Sequence, residues 1–385
     1  MKVTINQKAQ ERLIRGHDWI FRSDLAQVEA EEAGPAEVVG EKGKVWGQAL
    51  YSPKSLIALR MMTRNAEKID RQLIRERIRQ AIARREAWYP GEGAYRAVFG
   101  EADGLPSLIV DRFDETLVFQ TLSAGMETFK ASVVETLREL LKPKALIERN
   151  DSIVRQREEL PLIRQALGGE APAEAHFRFA GKNFGFQPLE GQKTGFFLDQ
   201  RFNAAAAARY AHGAMLDAFS YVGQFGIHAA SRVDSVLAVD ASGPALRQVE
   251  RNAQANELSN VSVLEANAFD FLKEADHEGR RFDTISLDPP AFVKNRASLQ
   301  QAIRGYKEIN LRALRMLNEG GILITSSCSQ HMSAELFERM LAEAAKDARR
   351  RLQILERRGQ PADHPILLAM PETDYLKCYI LRVSS

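Results

Sequence analysis

Asp217, Asp240, Asp288 and Cys328 stand within or just beyond apolar runs in the C-terminal half of the chain. In an open α/β sheet, ligands bind outside the carboxyl ends of the strands, so residues at those ends converge on one crevice. The first run continues as Asp217-Ala218-Phe219-Ser220-Tyr221-Val222-Gly223-Gln224-Phe225-Gly226. Its glycines allow a tight turn that brings the backbone close to a ligand. The Gly-Lys-Ser/Thr of a phosphate-gripping loop and a full G-x-G-x-x-G are both missing, which argues against a nucleotide-triphosphate or pyrophosphate site. Asp240, after the second run, has the chemistry to accept hydrogen bonds from both hydroxyls of a ribose. That fits a nucleoside cofactor of either the methyl-donor or the nicotinamide kind. Asn267, after the third run, either meets the exocyclic amine of an adenine or caps the helix that follows it.

The fourth run separates the two cofactor classes. It leads into Asp288-Pro289-Pro290-Ala291-Phe292, where two prolines hold the chain extended and rigid just past the sheet edge. Such a segment suits presentation of a carboxylate and an aromatic ring to a planar base, an arrangement for which a dehydrogenase has no use. The fifth run ends in Ser326-Ser327-Cys328-Ser329. A thiolate there has the chemistry to add to a pyrimidine ring, although a lone cysteine is more often a small buried hydrophobe. Cys378, inside an apolar strand, is assigned to that second class.

Positioning these residues requires alternating strands and helices from about residue 197 onward, which implies a mostly parallel sheet covered on both faces. Upstream the pattern differs. The first 65 residues read as short strands broken by turns, with candidates at 19–21, 36–39, 44–51 and 56–62, and fit a small all-β barrel or sandwich. Ile74, Ile78 and Ile82 recur four apart and predict an amphipathic helix over 71–88. An α+β stretch follows, and a hairpin is expected around Gly181. The domain boundaries expected are 1–70, 71–185 and 186–385.

Hydrophobic residues are 45% and charged residues 27% of the chain, with a net charge of +2 and two cysteines. That composition suits a soluble protein of a reducing, cytoplasmic compartment, with no disulfide framework. No apolar run reaches the roughly 20 residues of a membrane span, and no membrane partner is expected. Arginines cluster at 71–90 and at 346–358. Each cluster is either a solvated helix face or a phosphate contact.

The set Asp217 to Gly226, Asp240, Asp288-Pro289-Pro290-Ala291-Phe292 and Ser327-Cys328-Ser329 resembles the bacterial 23S ribosomal RNA cytosine-5 methyltransferases that carry an N-terminal PUA domain. So does the segment Gly191-Gln192-Lys193-Thr194-Gly195-Phe196-Phe197-Leu198-Asp199-Gln200-Arg201. Arg15-Gly16-His17-Asp18-Trp19-Ile20-Phe21 is similar to the opening of those PUA domains, with Trp19 and Phe21 read as barrel core. The resemblance covers essentially the whole chain. It implies an α/β fold: a PUA β-barrel, a central α+β domain and a Rossmann-like domain that binds S-adenosylmethionine (SAM). Cys328 and Asp288 would be catalytic. Asp217, Phe219, Ser220, Gly223, Asp240, Asn267 and Asp288 would hold the cofactor. Pro289, Pro290, Phe292, Lys193 and Arg201 would meet the substrate, 23S ribosomal RNA. No metal is expected, and a homodimer is the assembly carried forward.

Two departures stand out. Ala291 replaces the second cysteine that many RNA cytosine-5 methyltransferases place after the proline, so no group is assigned to remove the carbon-5 proton. Asn267 stands where relatives often have aspartate. The competing readings are an exocyclic-amine methyltransferase acting on a purine with Cys328 a spectator, a non-catalytic RNA-binding factor, and a nicotinamide enzyme.

Overall fold

The computed structural model describes residues 1–29, 31–191, 194–292 and 299–385. They form two compact units, one of residues 1–177, 187–198 and 362–373, the other of 178–186, 199–361 and 374–385.

The first unit holds a six-stranded and a five-stranded sheet. The six-stranded sheet includes Trp19–Phe21, Gly34–Gly40, Val45–Tyr51 and Ile57–Thr63, close to the expected strands. The N-terminus departs from an all-β reading. Lys2–Ile5 is a strand that runs parallel to Gly34–Gly40, and Gln7–Ile14 is a helix. Asn6 caps that helix by accepting from the Ala9 amide at 3.0 Å. Ala9 and Leu13, four apart, bury against Val3, Ile5 and Val38. Two core-facing apolar residues in an eight-residue stretch, with Ile14 exposed, give too weak a period to be read beforehand.

The helix Arg71–Trp88 forms as expected, with Ile74 and Ile78 fully buried against the five-stranded sheet. Its arginines are engaged within the unit. Arg71, Arg75 and Arg79 pair with Glu135, Glu139 and Glu76, and Arg84 and Arg85 share Asp103. Arg77 donates to the carbonyls of Gly104 and Met62. Every arginine of this cluster therefore has an internal acceptor, which favours the structural reading over phosphate contact.

The second unit is built on a seven-stranded sheet. Numbered in chain order, its strands are Ala214–Ala218, Ser235–Asp240, Val261–Glu265, Phe282–Leu287, Leu317–Ser327, Arg351–Arg358 and Lys377–Ser384. Their lateral order is 3-2-1-4-5-7-6, and the first five are mutually parallel. The seventh is antiparallel to both neighbours. The central strands are rich in apolar residues because both faces are covered. Leu216, Ile285, Leu287 and Leu323 are fully buried among residues of the helices Ala268–His277, Leu299–Met316 and Ala334–Ala348. Each such side chain contributes roughly 1.5–3 kcal/mol.

The second arginine cluster is not a helix face. Arg349 ends the helix in a left-handed conformation, and Arg351–Arg358 is an edge strand on which Leu352 pairs with Val383. The dense charge hides its period-two pattern, and charge on an edge strand discourages further pairing. The expected hairpin is present as Ala175–Phe179 with Lys182–Phe186, turning through Ala180 and Gly181 at positive φ.

Candidate functional site

The loop after the first strand is bent sharply and tied to the second strand. Phe219, Tyr221 and Gly223 adopt φ of 60°, 49° and 82°. Non-glycine residues held there cost energy and recur where a backbone is shaped around a ligand. Three hydrogen bonds fix the bend. The Ser220 amide donates to the Val239 carbonyl at 3.1 Å and the Gly223 amide to the Ser220 carbonyl at 2.8 Å. The Tyr221 amide donates to Asp240 Oδ2 at 2.9 Å. A Cβ on Gly223 would lie 3.0 Å from Val249 Cγ1, so a side chain there meets a tight contact as well as a strained φ.

Asp217 is 1% exposed, and its Oδ2 accepts from the Gly226 amide at 2.9 Å. One oxygen is thereby committed to the loop. Burial pushes the carboxyl up to about 7. A carboxyl with a raised folded-state value is stabilising while protonated, and that stability is lost as pH rises from its unfolded value of about 4 through about 7. Asp217→Asn retains an acceptor for Gly226 and cannot ionise. Wild type should lose stability relative to this variant across that window, by on the order of a few kcal/mol, and hold a constant gap above it. Denaturant melts at pH 4, 6 and 8 check this; a gap independent of pH would contradict it.

Asp240 is half-buried, and both its oxygens accept backbone amides: Tyr221 on Oδ2 and Ser242 on Oδ1, each at 2.9 Å. The lone pairs left over are fixed in direction. Asn267 is exposed and caps the helix Ala268–His277, its Oδ1 accepting from the Phe269 amide at 2.9 Å. Within the loop, Ser220 Oγ and Gln224 Nε2 are buried without a hydrogen-bond partner among the described residues. A buried polar group left so costs roughly 1–3 kcal/mol, and a polar ligand would recover it. With the side-chain-free turn at Gly223 and the oriented carboxylate of Asp240, these atoms fit a ligand that has a charged amino-acid end and a ribose, as SAM has.

Beyond the fourth strand, Asp288 is half-buried and its Oδ1 accepts from Gln200 Nε2 at 2.8 Å. Gln200 Oε1 accepts in turn from Asn203 Nδ2 at 2.7 Å, and Arg358 Nε donates to Asn203 Oδ1 at 3.0 Å. This chain orients the carboxylate. Pro289 is buried, Pro290 exposed and Phe292 half-buried. Rings run from Phe219 to Phe269 at 5.3 Å, to Phe292 at 5.3 Å and to Tyr306 at 4.3 Å between centroids. They form an aromatic line past the ends of the first, third and fourth strands.

Cys328 follows the fifth strand and is half-buried. Its two neighbours are pinned to one phenol. Ser327 Oγ donates to Tyr306 Oη at 3.0 Å, and Ser329 Oγ lies 3.1 Å from the same oxygen. The main chain on both sides of the sulfur is thus fixed. Cys378 is fully buried, and burial pushes its thiol up to about 12, which matches the inert role expected of it.

Asp217, Phe219, Ser220, Gly223, Asp240, Asn267, Asp288 and Cys328 therefore all lie at the carboxyl ends of strands of one sheet or in the loops that leave them. Arg201 does not join them at a surface. It is 1% exposed, with its guanidinium 4.5 Å from the centre of the Phe179 ring, so it has no open face for a polynucleotide. Lys193 lies outside the described residues. Sequence reading passed over Gln200, Phe269 and Tyr306. The first sits inside the distinctive 191–201 segment and the second beside Asn267; Tyr306 had no local signal.

A family model described as a PUA-like domain matches residues 3–64, and one described as Conserved hypothetical protein 95 matches residues 199–351. Ribosomal RNA large subunit methyltransferase I of Shewanella denitrificans is 39% identical over 394 residues, covering 100% of this chain and 99% of that protein. The protein of the same name from Tolumonas auensis is 39% identical over 391 residues, covering 99% and 98%. Among solved structures, a candidate SAM-dependent methyltransferase from Streptococcus mutans superposes with a TM-score of 0.85 at 19% identity, covering 99% of this chain and 100% of that one. A candidate methyltransferase crystallised with S-adenosylhomocysteine gives 0.86 at 18% identity, with the same coverage. At that identity the superpositions speak to the fold, an α/β methyltransferase fold with a PUA-like N-terminal domain.

Proposed function

Because the chain belongs to the ribosomal RNA large subunit methyltransferase I family, and is thereby a SAM-dependent rRNA methyltransferase, we propose that it forms 5-methylcytidine in 23S rRNA through a covalent bond between Cys328 and carbon 6 of the cytosine. Bound SAM supplies a methyl group already activated by a sulfonium centre. The observation that carries the reading is Cys328 itself, half-buried at the end of the fifth strand with both flanking serines anchored on Tyr306.

Carbon 5 of cytosine is a poor nucleophile until something adds at carbon 6. The Cys328 thiolate forms a bond to carbon 6, and the electron pair displaced makes carbon 5 enamine-like. Asp288, oriented by Gln200, holds the ring through N3 and the exocyclic amine. A proton shared at N3 stabilises the charge that develops. Once carbon 5 has taken the methyl group, loss of its proton re-forms the ring double bond and expels the thiolate. Pro289 and Pro290 keep Asp288 and Phe292 at a fixed spacing beside the base. Asp240, Ser220, Gln224 and the Gly223 turn hold the cofactor, with Asn267 and Phe269 at its adenine. The PUA-like residues 1–70 are the RNA-binding domain of this scheme, ahead of a central domain at 71–185 and a catalytic domain at 186–385.

The test is a covalent trap. Fluorine at carbon 5 cannot leave as a proton does, so 23S RNA carrying 5-fluorocytidine should hold the enzyme in a complex that survives denaturing electrophoresis. The expected result is an adduct with wild type and SAM and none with Cys328→Ala. Turnover without any adduct would overturn the reading and favour methylation of an exocyclic amine.

A further inference from the structure

We propose that Lys377 is the positioning residue that keeps Cys328 in its thiolate form, an inference that rests on the nucleophilic reading of Cys328 given above. Lys377 opens the seventh strand and stands opposite Ser327 in the antiparallel pair with the fifth. Its side chain is 7% exposed. Nζ donates to the carbonyl of Ser329, the residue after Cys328, at 2.8 Å and to the carbonyl of Tyr375 at 2.8 Å. An ammonium has three donors, so one remains after these two. Among the described residues the amine forms no ion pair. The negative charges that reach it are those of Asp374 and Cys328. The Tyr306 phenol, which holds Ser327 and Ser329, also feels the charge of the cysteine between them.

This arrangement is costly unless an anion answers it. Burial pulls the amine down to about 8 even against the opposing pull of the Asp374 carboxylate and of Cys328, because removing an ammonium from water disfavours its charged form. A thiolate beside it reverses part of that penalty, and by the same interaction the ammonium favours loss of the thiol proton. The two groups then titrate as a pair, with the proton shared between sulfur and nitrogen. The carbonyls of Ser329 and Tyr375 fix where the charge sits. Lys377 itself is too enclosed to meet a base, so it acts through Cys328.

A residue that merely clamped the strand end would leave the thiol's titration untouched, so thiol reactivity separates the two roles. The free full-length enzyme is alkylated with iodoacetamide from pH 5.5 to 10, and modification at Cys328 is read by peptide mass spectrometry. Cys378, fully buried in the seventh strand, serves as the unreactive control. Wild type should show a midpoint below the ordinary thiol value of about 8.5. Lys377→Gln keeps an amide donor for the two carbonyls but no charge. It should raise the midpoint by about one unit and slow alkylation at pH 7 by about tenfold, whereas Lys377→Arg should keep the low midpoint. An unchanged midpoint in Lys377→Gln would overturn the proposal. If that variant does not fold, a wild-type midpoint at or above about 8.5 overturns it alone. The assay contains neither RNA nor SAM. Failure of the cytosine reading would appear as full turnover by Cys328→Ala and would leave the alkylation profile unaffected.

Discussion

Cys328→Ala is expected to lower methyl transfer to 23S RNA by about 10⁴-fold or more while leaving SAM affinity within about twofold. The size follows from the proposed reaction. Without a nucleophile at carbon 6, carbon 5 has no enamine character, and no other group among the described site residues replaces a covalent step. The fold should tolerate the change, since Ser327 and Ser329 remain anchored on Tyr306 and the sulfur is half-buried at a strand end. Single-turnover transfer of a labelled methyl group, beside calorimetric titration with SAM, separates chemistry from binding. Activity within about tenfold of wild type would exclude the covalent route.

Asp288→Asn should cost about 10²–10³-fold in kcat with little change in KM for RNA. An amide keeps the volume and one acceptor but cannot share a proton with N3 of the base. It also faces Gln200, whose Nε2 now donates to the carboxylate and whose Oε1 is already taken by Asn203. An amide rotated to accept from Gln200 presents its NH2 toward the base and turns the intended partner into a second donor. A proportional rise in KM with kcat unchanged would mean that Asp288 only binds.

Legibility followed the range of the signal. The five parallel strands were readable because each carries a short apolar run, longest where both faces of the sheet are covered. Asp217, Asp240, Asp288 and Cys328 were readable because each sits at or just past the end of such a run. Asn267 was open between ligand and helix cap, and the structure shows its oxygen on the Phe269 amide. The chain from Arg358 through Asn203 and Gln200 to Asp288 was not readable, since two of its links join side chains 88 and 155 residues apart. Arg75 and Glu139, 64 residues apart, were as hidden, and their pairing helps neutralise an apparent basic face. The edge strand Arg351–Arg358 was missed because its arginines masked an alternation that becomes visible only beside Val383 and Leu381.

The lateral order of the large sheet also bears on how the molecule comes together. Lys377–Ser384 fills a slot between two strands that precede it in the chain. Until it arrives, Leu317–Ser327 and Arg351–Arg358 each present an unpaired edge, one apolar and one charged. Bare edges of that kind recruit strands from other molecules, and late, non-local pairing prolongs their exposure. Once the seventh strand is in place, the arginine-rich sixth strand becomes the outer edge, where its charge discourages further pairing. Lys377 opens the seventh strand, so its bond to the Ser329 carbonyl beside Cys328 forms only once that strand is in its slot.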